Sequence, residues 1–324
     1  RPAEPRWWTV IEGAEHRAGS QWAWNSQKEL LAVVDQEQEL RLMTSRGDVR
    51  YRVQLPKEGR TIFVGWEKSG AVLAAVQKLG GAFLWFPAKP EAVQQWEGMQ
   101  FSSKLLKNAV LKRNAHFDTI FASWSPKGKL VLGLADGNFA VWDLASNETF
   151  MSRKHFAGKH KGAIAAGAWG PHSDMLALAS AGQLKVSQPL VNASWENTAA
   201  KLALDSEDLV YQELRYSLSG DFLAAFAGSS IFRHLCLYRV TPMGKKGTES
   251  KLVPVGEAHP STELGALQAM LWLENDILAL CTSNGCIRLL KYDVHDGELR
   301  EEQYQPCGDG VSDAAVLSSG HIVM

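Results

Sequence analysis

Cys281 and Cys286, five residues apart, come nearest in this chain to a metal-ligand spacing. A zinc site would need two further nitrogen or sulfur ligands in tetrahedral reach, and no such cluster accompanies the pair. With Cys236 and Cys307 they make four scattered cysteines in 324 residues, too few for a disulfide framework. Reduced core thiols are expected, with no metal. The sequence contains no G-x-x-x-x-G-K-[ST], no G-x-G-x-x-G after a strand, no G-x-S-x-G and no H-E-x-x-H. Carboxylates are plentiful, but linear order assigns no acid and base pair. The expectation is a non-enzyme without cofactor or catalytic residue.

Charge is the other chemistry on offer. Basic residues gather at Lys104, Lys107, Lys112 and Arg113, and again at Arg153, Lys154, Lys159 and Lys161. The second group is a candidate contact surface for an acidic partner or an anionic membrane; solvated loops are the simpler reading. Acidic counterparts stand at Asp35, Glu37 and Glu39, and at Asp296, Glu298, Glu301 and Glu302. The formal net charge is −1, so no global field argues for nucleic acid. No apolar run approaches the ~18 residues that span a bilayer. No secretory signal is read at the start, and a cytoplasmic protein is expected.

The elements that must position these residues are strands. Thr119 to Trp124 is an apolar run, Ser125-Pro126-Lys127-Gly128 turns the chain, and Leu130 to Leu134 returns. Asp136-Gly137 is a hairpin signal before Phe139 to Trp142, which closes on Trp142-Asp143. The pattern repeats along the chain. The aromatic ending each first strand is Trp24, Trp66, Trp124, Trp169, Tyr216 or Trp272, at intervals of about 42, 58, 45, 47 and 56 residues. The two long intervals mark insertions at Gly98 to Asn114 and Thr241 to Glu263; the second, rich in Gly, Pro, Ser and Thr, reads as a mobile loop.

Three tightly turned strands closing on Trp-Asp resemble one blade of a WD-repeat β-propeller. Six units and a seventh that begins at Val311 imply an all-β, seven-bladed propeller, its last blade incomplete in this chain; six-bladed closure is the alternative. Residues 1–324 are read as a single propeller, the N-terminal part of a longer protein, with Trp7 to Glu12 the candidate outer strand of the last blade. Trp124 and Trp169 are expected to pack between blades. In WD-repeat families a Gly-His element joins a tight-turn Asp, a strand Ser or Thr and the Trp in one hydrogen-bonded network. Gly158-Lys159-His160 resembles that element, which implies a structural role for His160 with Asp136. Leu130 to Leu134 offers no Ser or Thr, so the network is expected to be incomplete.

A narrower resemblance rests on ordered runs. Phe63-Val64-Gly65-Trp66-Glu67-Lys68-Ser69-Gly70-Ala71-Val72-Leu73-Ala74, Phe83-Leu84-Trp85 and Trp96-Glu97-Gly98-Met99 come first. Gly137-Asn138-Phe139, Gly158-Lys159-His160, Met175-Leu176-Ala177-Leu178 and Leu184-Lys185-Val186-Ser187 follow. Together they resemble the N-terminal propeller of an intraflagellar transport complex A subunit, over roughly Gln21 to Leu190. The resemblance implies a non-catalytic scaffold at the cilium or flagellum and its base, serving retrograde transport and membrane-protein entry. It implies other complex A subunits, cargo and adaptors as partners. The alternatives are a propeller binding a peptide, ubiquitin or anionic lipid outside cilia, or a related coat-protein propeller.

Overall fold

The computed structural model describes residues 21–25, 27–57, 59–78, 81–86, 93–96, 118–145, 148–151, 160–187, 200–228, 233–241, 251–261, 265–293, 295–306, 315–316 and 322–323. These residues fall into two compact units, Arg1–Thr119 and Ile120–Met324. The expected strand Trp7 to Glu12, the insertion Gly98 to Asn114 and the basic residues Lys104, Lys107, Lys112 and Arg113 lie outside the described residues.

The first unit holds two four-stranded antiparallel sheets. One is β1 (Gln21–Asn25), β2 (Leu30–Val34), β3 (Glu39–Thr44) and β4 (Val49–Gln54), paired in chain order. The other is β5 (Thr61–Trp66), β6 (Leu73–Gln77), β7 (Gly81–Trp85) and β8 (Val93–Trp96). Alternation drives the layering: Ala32, Val34, Leu40 and Leu42 from one sheet bury against Val64, Leu73, Ala75 and Trp85 from the other. The outer strand of the first sheet is β4, with Val49 and Tyr51 exposed and the Tyr51 ring 5.4 Å from Trp85.

The second unit continues the pattern. Its first sheet is β9 (Thr119–Trp124), β10 (Lys129–Leu134), β11 (Phe139–Asp143) and β12 (Glu148–Met151). Ser125 builds the turn between β9 and β10: its Oγ accepts from the backbone N–H of Lys127 at 3.2 Å and of Lys129 at 2.9 Å. Next come β13 (Ile164–Trp169), β14 (Leu176–Ser187), β15 (Ala200–Tyr216), β16 (Phe222–Gly228), β17 (Arg233–Thr241) and β18 (Lys251–Ala258), hydrogen-bonded in that order. The last four-stranded sheet is β19 (Leu267–Trp272), β20 (Ile277–Thr282), β21 (Cys286–Asp293) and β22 (Glu298–Pro306). A two-stranded piece, β23 (Ala315–Val316) and β24 (Ile322–Val323), stands where the incomplete seventh unit was expected.

Two expectations change here. The fourth and fifth repeats are not separate, because β15 serves both: its first half pairs with β14 and Tyr211 to Tyr216 pair with β16. The stretch Thr241 to Glu263 is not simply a loop, since β18 lies inside it and pairs with β17 from Leu235↔Ala258 to Thr241↔Lys251. An outer strand has one face in water, so its composition is polar like that of a loop. Pro254 is tolerated there because an edge strand leaves half its N–H groups unpaired.

Candidate functional site

The repeated aromatic does the same job in both units. Trp66 Nε1 donates to the Ala23 carbonyl, Trp169 Nε1 to Ser123 and Trp272 Nε1 to Arg215, each at 3.2 Å. Each acceptor immediately precedes the aromatic that closes the earlier sheet's first strand: Trp24, Trp124 and Tyr216. Trp169 is buried among Val131, Phe139, Ile164 and Leu176, while Trp124 is half-buried with its ring 6.1 Å from that of Trp142. Tyr216 holds the equivalent place in β15, but its buried hydroxyl has no hydrogen-bond partner. Asp143, next to Trp142, pairs with the Lys129 ammonium and caps the turn by accepting from Ala145 N at 2.9 Å.

His160 is positioned by its backbone and used through its ring. Its N–H donates to the Gly137 carbonyl at 2.8 Å, bringing the β10–β11 turn against the entry to β13. Gly137 takes φ +83°, and a Cβ there would stand 2.3 Å from the His160 carbonyl oxygen, so only glycine fits. The buried ring lies with Nδ1 3.2 Å from Ser180 Oγ in β14, and Lys161 N donates to Gln183 Oε1 at 3.2 Å. Burial, with the nearby Lys185 charge, pulls the His160 pKa down to about 3. Nε2 is buried and unpartnered.

Asp136 does not join this network. It is exposed, and its carboxylate accepts instead from Asn138, from the backbone N at 2.9 Å and the side-chain Nδ2 at 2.6 Å. The missing hydroxyl was sought in β10, in the repeat before His160; it belongs to β14, the second strand after His160. Of the candidate basic surface, Lys161 is exposed, and Arg153, Lys154 and Lys159 lie outside the described residues. Cys281 and Cys286 are buried and not joined in a disulfide, in keeping with the expected reduced core thiols; Cys307 lies outside the described residues.

A second cluster escaped the sequence reading. β17 and β18 are antiparallel neighbours in which Cys236 faces Glu257, with Leu235 facing Ala258 one step on. Strand alternation therefore sends His234 and Cys236 to the same face as Glu257. His234 Nε2 stands 3.1 Å from Cys236 Sγ and 3.3 Å from Glu257 Oε2, and one ligand atom from each residue lies within 4.8 Å of the others. His259, just past β18, stacks on His234 with ring centroids 5.0 Å apart and planes at 13°. Its Nδ1 is 3.4 Å from the Arg233 carbonyl, and Arg233 in turn donates from Nη1 to the Ser261 carbonyl at 2.9 Å. Burial pushes the Cys236 thiol pKa up and the Glu257 charge adds to that, against a hydrogen bond from Tyr238. An open groove of about 490 Å³ beside β18 reaches Cys236 and Glu257. The signal in sequence was His-x-Cys and Glu-x-His, two i, i+2 pairs that mean nothing until the two strands are known to pair.

No protein-family model matches the chain, and no curated protein matches it in sequence. Solved structures do match in shape. The β-propeller domain of Cps50 (Swd1) from Myceliophteria thermophila superposes with a TM-score of 0.63 at 11% identity, covering 92% of this chain and 89% of that one. A chain of the Mitotic Checkpoint Complex gives 0.65 at 13% identity, covering 93% and 84%. The WD40 repeats of RRP9 give 0.63 at 14% identity, again covering 93% and 84%. At these identities the likeness shows the fold: the chain is an all-β WD40-repeat β-propeller.

Proposed function

We propose that this propeller is a non-catalytic docking platform for other proteins, and that it belongs to an intraflagellar transport complex A subunit similar to WD repeat-containing protein 19. The coarse half of this reading is supported by the fold and by a structural neighbour that sits within the Mitotic Checkpoint Complex, an assembly. The finer half is carried by one observation, the ordered run from Phe63 to Ala74, which spans β5, its turn and the start of β6. In that turn Glu67 accepts from Ser69 N at 3.0 Å, so part of the run serves the turn itself.

On this reading the protein works in the cytoplasm and at the cilium or flagellum and its base, bound to other complex A subunits, to cargo and to adaptors. The test is affinity purification of the tagged protein from ciliated cells, with loss of the protein scored for ciliary length and membrane-protein content. Co-purification of complex A subunits with defective cilia is expected. Normal cilia and recovery of an unrelated set of partners would overturn the assignment. Capture by ubiquitin or by anionic vesicles alone would favour the extraciliary module instead.

A further inference from the structure

We propose that His234, Cys236, Glu257 and His259 form a structural binding site for a thiophilic divalent cation, zinc by chemistry, that bolts the edge strand β18 to β17. Cys236 and Glu257 stand opposite each other on the ladder, and His234 and His259 are stacked one step further along the same face. A tetrahedral zinc with bonds of about 2.0–2.3 Å places neighbouring ligand atoms about 3.4–3.6 Å apart. The observed 3.1 Å from His234 Nε2 to Cys236 Sγ and 3.3 Å to Glu257 Oε2 are close to that spacing. Three donors of mixed N, S and O type already converge within 4.8 Å.

The fourth donor is prepared by its surroundings. His259 Nδ1 faces the Arg233 carbonyl at 3.4 Å, and donating to it makes Nε2 the ring nitrogen that carries the lone pair. His259 lies just beyond the last residue of β18 with its ring stacked on His234, and a turn of that ring toward the other three is what the proposed site requires of it. The donor set of two imidazoles, one thiolate and one carboxylate suits zinc better than magnesium or calcium, which take oxygen ligands. The open groove beside Cys236 and Glu257 is the path by which the ion enters. On binding, the Cys236 thiol loses its proton to solvent and the thiolate takes the metal bond.

The consequence is local. Among the described residues, the edge strand β18 has only β17 as a neighbour in its sheet. A cation bound from both strands adds a cross-link at the end of β18 farthest from the Thr241↔Lys251 pair.

The test is titration of the reduced 324-residue chain, in a non-thiol reductant, with cobalt(II) and then zinc. The expected result is one equivalent of cobalt giving the visible bands of a tetrahedral site and a thiolate-to-cobalt charge-transfer band, both abolished by zinc. Cys236→Ser removes the charge-transfer band. Glu257→Gln and His259→Ala weaken binding by at least the about 10–100-fold that loss of an outer partner costs a metal site. Glu298→Gln, an exposed carboxylate across the groove, leaves binding unchanged. Should Cys236→Ser fail to fold, the exposed Glu257 and His259 variants decide the matter. A chain that gives no charge-transfer band, or binds as tightly with Glu257→Gln and His259→Ala, overturns the proposal.

Discussion

The indole nitrogen of Trp169 donates to the main-chain carbonyl of Ser123, 46 residues earlier and in the preceding sheet, at 3.2 Å. The same bond joins Trp66 to Ala23 and Trp272 to Arg215. These three repeats thus carry an apolar plug and a polar latch in one side chain, which explains why tryptophan stands there where leucine would bury as well.

Trp169→Phe keeps most of the plug and removes the latch. It should lower unfolding free energy by about 1–2 kcal/mol, the cost of a part-buried carbonyl left unpaired. Trp169→Ala should cost about 3–5 kcal/mol. Urea melts separate the two, and a Phe variant as stable as the parent would show the latch to be idle.

Tyr216→Phe should behave in the opposite way. The tyrosine hydroxyl is buried without a partner, so its removal is expected to be neutral or to stabilise by up to about 1 kcal/mol. A clear drop in melting temperature would mean the hydroxyl is bonded in solution.

Gly137→Ala should destabilise by more than about 2 kcal/mol, combining a left-handed backbone with a Cβ driven into the His160 carbonyl. Gly162→Ala is its control: a Cβ there meets nothing within 4 Å, and a change inside about ±0.5 kcal/mol is expected. Equal effects at both positions would contradict the close approach.

His160 makes the fold acid-sensitive. Its folded pKa of about 3 lies below the ordinary 6.5, so the unfolded chain binds the proton more readily. The stability tied to the neutral ring is complete above pH 6.5 and is lost as pH falls toward about 3. Between pH 7 and 4.5 this group alone should cost ~2–3 kcal/mol. His160→Asn should remove that increment from the difference between melts at the two pH values. An unchanged difference would place the acid sensitivity elsewhere.

Much of the fold was legible because its signals are local. Ser125 to Gly128 make a turn whatever surrounds them, and the aromatic spacing from Trp24 to Trp272 survives insertions. What stayed hidden depends on register between distant segments. His160 resembles a known element, yet its hydroxyl partner, Ser180, lies 20 residues downstream in the repeat that follows it, not in the repeat before it where the hydroxyl was sought. β18 was read as loop because Pro254, Gly256 and Glu257 suit either state. The four donors around Cys236 come together only when Cys236 is known to face Glu257, a pairing that no composition or periodicity specifies.

β15 carries one last consequence. Because a single strand from Ala200 to Tyr216 is hydrogen-bonded to β14 along one half and to β16 along the other, neither neighbour can release it alone. The two repeats should therefore open as one cooperative unit, their amides exchanging with solvent together, in a fold whose other repeats are free to fray one at a time.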